Sequence, residues 1–154
     1  MQSGHAKKSM EKSERVADRN DGTDNAPDIL YEYAVIRYVP SIEREEFLNI
    51  GLIMMCKRTG WIRVRTAIDF DRLLTLAPRT DLDALRNQLA GFERIAHGDR
   101  QGGIIADLEP HERFRWLTAV RSATLQTSRP HPGLTADPAV TFDRLFATLV
   151  APMR

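Results

Sequence analysis

The sequence predicts an α+β domain: a small antiparallel sheet, built from a three-stranded meander plus a late edge strand, covered by about three helices. Three observations predict it. Stretches with strand-period alternation and high β propensity occur at 29–39 and 61–68. Apolar residues recur at helical spacing in 82–96 and 138–150. Prolines, glycines and polar clusters separate these stretches.

The elements follow in order. ILYEYAVIRYV is a strand with Tyr31, Tyr33, Val35, Arg37 and Val39 on one face. Leu30, Ala34, Ile36 and Tyr38 share the other face with Glu32, and Pro40 is expected to stop the ladder. NIGLIMMC is the second strand, KRTG the turn with Gly60 free to take positive φ, and WIRVRTAI the third strand. DFDRLLTLAPR supplies about one helical turn before Pro78. The strongest helix follows, with Thr80 as expected N-cap, Asp83 three residues on, and a stripe of Leu82, Leu85, Leu89, Phe92 and Ala96 closed by Gly98. Pro110 opens PHERFRWLTA as an N1 proline. Val120–Leu125 is the expected edge strand and SRPHPG a loop, since Pro130, Pro132 and Gly133 oppose regular structure. Asp137-Pro138 starts the last helix, which buries Phe142, Leu145, Phe146 and Leu149. All three helices are expected on one face of the sheet.

A chain of 154 residues holds one core plus some tail. Residues 1–28 carry five bases and six acids with few apolar side chains, so they read as a disordered polar tail, and 29–154 as a single domain. A net charge of +1 gives no global pull toward nucleic acid or an acidic membrane. The single cysteine, Cys56, excludes an intrachain disulfide and a Cys-rich zinc site, and suits a reducing cytoplasm. The N-terminus is too polar for a secretory signal, and no apolar run reaches transmembrane length. His5, His97, His111 and His131 lack ligand spacing, and no phosphate loop, dinucleotide fingerprint or nucleophile elbow occurs, so no metal or cofactor is expected.

Two segments concentrate polar side chains. In RYVPSIEREEFLNIG, Arg37, Arg44, Glu45, Glu46 and Asn49 either cradle a polar ligand or pair with one another at the surface. Glu45 and Glu46 are adjacent, so in a strand they face opposite ways and cannot act as a carboxylate pair. In HERFRWLTAVRSATLQTSRPH, Arg113, Arg115, Trp116, Arg121, Ser122, Gln126, Ser128 and His131 suit an anion, a protein interface or plain solvated surface. Trp61, Arg63 and Arg65 form a third, weaker cluster, a Trp beside cations that could meet RNA or protein, explained equally by arginine stems covering an apolar rim. If the first two segments meet at one edge of the sheet, Arg37, Arg44, Glu45, Asn49, Arg121 and His131 line one polar cleft.

YAVIRYVPSIEREEFLNIG and ERFRWLTAVRSATLQTSRPHPGLTADP resemble the signature stretches of a bacterial family of uncharacterised domains, DUF3037, from about Tyr31 to about Val150. No activity, substrate, cofactor or catalytic residue comes with the resemblance. It implies an accessory role, some members being encoded beside a kinase-like protein of the HipA type. The leading expectation is therefore a non-catalytic binding protein that contacts a protein partner, possible self-association included. The alternatives are a nucleic-acid or nucleotide binder using the arginines of 113–129, and an enzyme with Glu45 or Glu46 as acid–base and His131 or Arg121 as helper. Catalysis is the least favoured, because no nucleophile–base pair stands at workable spacing.

Overall fold

The structure, a computed structural model, describes residues 28–120 and 123–152. Residues 1–27 of the expected tail, Arg121 and Ser122 lie outside the described residues. The fold is α+β, with β1 (Ile29–Ser41), β2 (Glu46–Cys56), β3 (Trp61–Thr66), α1 (Phe70–Leu76), α2 (Leu82–Ala96), α3 (Pro110–Leu117), β4 (Leu125–Thr127), β5 (His131–Thr135) and α4 (Pro138–Leu149). Two short 3₁₀ turns lie between α2 and α3.

The sheet is antiparallel, in the order β3-β2-β1-β4, with β5 also pairing β1. β1 spans 13 residues and takes two partners along one margin: β5 beside Ile29–Tyr33 and β4 beside Ile36–Tyr38. β4 and β5 thus form one edge strand broken at 128–130. Ser128 bridges the break. Its N–H donates to the Val35 carbonyl at 2.8 Å, and its Oγ accepts from the Val35 N–H at 2.9 Å, doing the work of a ladder carbonyl.

Several expectations are corrected. The edge strand begins at Leu125, and Val120 is exposed. SRPHPG is not all loop, for β5 runs through Pro132 and Gly133. An edge position tolerates proline because no further strand needs its N–H. Gly133 fits because a Cβ there would run into the Tyr31 ring. β1 continues through Pro40 to Ser41, with a register shift between Tyr38 and Ser41. The N-cap of α2 is Asp81, whose carboxylate accepts from Ala84 N–H at 3.1 Å. Thr80 instead bonds the Tyr38 hydroxyl and the Ala77 carbonyl. α1 has seven residues rather than one turn, capped by Asp69.

The largest correction concerns the helices, which do not all share one face. Leu85, Leu89 and Phe92 of α2 and Phe114 and Leu117 of α3 pack on Ala34, Ile36, Ile50, Ile53 and Met55. Phe142 and Leu145 of α4 pack on the opposite face, against Tyr31, Val35, Leu52, Met54 and Cys56. The arginine face of β3 is thereby covered. Arg63 lies over Trp61 and Phe142, and Arg65 lies over Phe142 and Phe146 while bonding Asp143 at 3.1 Å. Those stems roof an apolar rim, the plainer of the two readings of that cluster.

A bulge in β2 brings Asn49 opposite Arg37 of β1. Ile36 faces Gly51, but Arg37 faces Asn49, so Ile50 is the extra residue. Gly51 is needed there, because a Cβ would stand 3.0 Å from both the Arg65 carbonyl and Ile36 Cδ1.

Candidate functional site

The two polar segments do meet, at Arg37. On β1 it is flanked in register by Asn49 of β2 and Gln126 of β4, giving a row across three strands. Its guanidinium lies 4.1 Å from the centroid of the Phe47 ring. Among the described residues, neither the buried Arg37 Nε nor the buried Asn49 Oδ1 has a hydrogen-bond partner. The Asn49 amide is otherwise committed, donating through Nδ2 to the Leu149 carbonyl at 3.1 Å and so pinning the end of α4 to the sheet. The Gln126 amide turns back to the Ala123 carbonyl at 2.6 Å.

The other nominated residues do not join this row. Arg44 and Glu45 occupy the exposed β1–β2 turn, and Glu46 the exposed first position of β2. Arg44 Nε donates to Glu46 at 2.8 Å; that bond and the adjacent charge push the Glu46 carboxyl down and the Arg44 guanidinium up. Glu45 adopts φ 55°, a left-handed turn position. A general acid with a raised pKa is not what Glu46 offers. His131 sits at the start of β5, its ring 5.1 Å from that of Tyr33. Trp116 is 41% exposed on α3. Ser128 is absorbed by the edge strand.

Two arginines that suggested anion binding are spent on the fold. Arg113 is buried; its Nη1 donates to the Leu108 carbonyl at 2.6 Å, and Nε and Nη2 reach the Ala96 carbonyl at 3.4 and 3.3 Å. It caps the C-terminal end of α2, where a cation also meets the negative pole of the helix. Arg115 forms a two-pronged pair with Glu32 at 2.6 and 2.7 Å.

Glu32 was not nominated from the sequence. The available signal was a lone acid among the core-facing residues of β1. Hydrogen bonding to Arg115 is the main cause that lowers its pKa, against a smaller opposing effect of burial. The native carboxyl therefore holds its proton less tightly than the unfolded one. The pair's contribution is complete above the ordinary carboxylate range and is lost as pH falls through the native Glu32 titration. Arg115 is half exposed, so the contribution is at most about 1 kcal/mol. Urea unfolding of wild type and Glu32→Gln should differ at about pH 7, and the gap should narrow as the pH falls below the ordinary carboxylate range. A gap that stays constant over that range counts against this assignment.

Among the described residues, no group of His, Cys, Asp and Glu is placed to hold a metal ion, and no helix is long and apolar enough to cross a membrane. Neither a curated protein nor a solved structure matches the chain. A family model described as "Protein of unknown function (DUF3037)" matches residues 33–150, most of the chain. That span holds the Asn49–Arg37–Gln126 row and all five strands, though β1 begins just before it, and the chain belongs to the DUF3037 family.

Proposed function

We propose that this chain is a non-catalytic binding protein acting through contact with a protein partner, and that the contact is the bare end of the sheet at Leu30 and Leu134. One observation carries the reading. Leu30 and Leu134 are opposite one another in the β1–β5 register, and they are 60% and 65% exposed. On β1, Leu30 belongs to the same face as Ala34 and Ile36, which are fully buried beneath α2 and α3. Arg115 of α3 reaches Glu32 on that face, and Leu30, two residues further along β1, is left exposed beside Leu134. An apolar patch with a charged rim is what a protein partner of similar pattern would cover.

The competing readings have less support. The nucleic-acid reading leaned on Arg113, Arg115, Arg121 and Arg129, of which the first two are engaged by Ala96, Leu108 and Glu32. The enzyme reading leaned on Glu45 and Glu46, which are exposed at the turn into β2. The family resemblance makes a HipA-type kinase-like protein the first partner to try. The lone buried cysteine fits a bacterial cytoplasm as the setting.

Affinity capture from native lysate should be run with the full chain and with Leu30→Glu/Leu134→Glu, alongside sedimentation of both. A protein held by wild type and lost by the variant supports the reading. If wild type instead sedimented as a dimer that the variant dissolved, the patch would be a self-association surface and the partner reading would fail. Equal capture by both proteins would remove the patch from the contact.

A further inference from the structure

The two margins of the sheet are not alike. Along β4 and β5 the margin is broken at 128–130, and Pro132 has no N–H to offer a further strand. β3 is the other margin, and among the described residues nothing pairs with its outer side. We infer that β3 is a docking edge for an extended segment of another protein that alternates acidic and apolar side chains and adds antiparallel to it. This contact lies on the opposite margin from β5 and goes beyond the one proposed at Leu30 and Leu134.

The phase of the ladder decides which backbone groups are free. The Ala67 N–H donates to the Ile50 carbonyl at 2.8 Å, and the β2–β3 register runs from Gly51–Thr66 to Cys56–Trp61 without a shift. In an antiparallel pair every second residue turns its N–H and C=O toward the neighbour. Trp61, Arg63 and Arg65 therefore bond β2, while Ile62, Val64 and Thr66 turn theirs outward. Those outward groups recur at the two-residue spacing that another strand would meet, and no proline or bulge interrupts WIRVRT.

The side chains specify the partner. Among the described residues Arg63 enters no ion pair, and its guanidinium rests on the rings of Trp61 and Phe142. Arg65 has only the exposed Asp143 as a counter-ion, which leaves further donors of its fork for a second carboxylate. Lys57 and Arg58 add exposed cations in the turn before β3. The other acid in contact with the strand is Glu93, which accepts from Thr66 Oγ1 at 3.5 Å on the α2 face. Carboxylates at alternate positions of an incoming strand would stand opposite Arg63 and Arg65. The apolar side chains between them would extend the row of Ile62 and Val64, which packs against the core beneath α2. A second copy of this chain is the poorer occupant. Both antiparallel registers that overlap most of two β3 strands set Arg63 opposite Arg63 or Arg65 of that copy, and like charges directly opposite are destabilising.

The test uses the full chain and the peptide acetyl-Thr-Glu-Val-Glu-Val-Thr-amide, whose glutamates fall opposite Arg65 and Arg63 in this register. Amide hydrogen exchange of the free chain should be slow at Arg63 and Arg65 and faster at Ile62, Val64 and Thr66. The peptide should bind saturably with Kd on the order of 1 mM and, near saturation, slow the last three amides about tenfold. Methylating the two valine nitrogens, which face β3, should abolish binding. Replacing both glutamates by lysine should weaken it about tenfold, and Arg63→Glu should invert the preference between the two peptides, a reversal that poor folding does not produce. Equal binding of the N-methylated peptide would reduce the contact to charge adsorption, and equal binding of the lysine peptide would remove the acidic partner. Either result, unsaturable binding, or unchanged exchange at the three amides would overturn the inference. Leu30→Glu/Leu134→Glu should bind the peptide as wild type does, so this contact and the one proposed above fail separately. Loss of binding in that variant would assign the peptide to the other margin and overturn the role of β3.

Discussion

Arg113→Ala is expected to cost about 3 kcal/mol, the largest loss from any single charged side chain described here. Arg113 is 9% exposed, and its donors serve the carbonyls of Ala96 and Leu108. Hydrogen bonds from a charged donor contribute about 1.5–3 kcal/mol each, and truncation leaves both acceptors short of a partner. Loss of the cation at the C-terminal end of α2 adds to the penalty. Gly98 is matched to the same arrangement, with φ +71° and with a Cβ position only 3.3 Å from the guanidinium. Arg113→Met separates the two contributions, since it keeps the packing of the stem and removes every donor. Arg113→Lys keeps the charge but cannot present a planar fork to two carbonyls, so its cost should be intermediate. Urea denaturation measures all three. Losses below about 1 kcal/mol in both Ala and Met variants would mean that the guanidinium is not holding α2 to α3.

Ser128→Ala should cost about 1–3 kcal/mol, a large effect for the loss of one hydroxyl. The Val35 N–H has Ser128 Oγ as its partner in the middle of the long first strand, and Val35 is buried. Alanine leaves that N–H unsatisfied where water does not readily replace the acceptor. The damage should be local as well as global. Val35 sits between the stretch of β1 paired with β5 and the stretch paired with β4, so its amide should lose hydrogen-exchange protection first. Exchange at Val35 that matches wild type, together with a loss under about 0.5 kcal/mol, would show that the break at 128–130 is held by something else.

These two residues show how far the sequence could be read. Both were nominated from an arginine-rich, hydroxyl-rich segment as ligand or partner contacts, and both serve the fold. A polar side chain looks the same in sequence whether it faces solvent or a helix-end carbonyl. What separates the cases is the distance to a backbone group: 17 residues away for Arg113 and Ala96, 93 for Ser128 and Val35. Asn49 is similar, nominated as lining a polar cleft and found holding the end of α4, 100 residues on.

The two-sided sheet was partly legible and was missed. IGLIMMC is a near-continuous apolar run, the pattern of a strand buried on both faces, and residues 51–56 are all buried. The clean alternation of Ile62, Val64 and the arginines in β3 argued instead for an open face. Arginine stems over Phe142 and Phe146 make that alternation compatible with a helix on each side.

Local chemistry in the sequence by itself determined the class of fold, the first three strands and the approximate positions of the helices. Those features depend on side-chain period, turn residues and proline placement, which act within a few residues along the chain. Only the tertiary structure decided which face α4 covers, that Pro132 and Gly133 belong to an edge strand, and that Arg37 stands between Asn49 and Gln126. Each of those outcomes depends on partners brought together by strand pairing and helix docking, whose register no local pattern encodes.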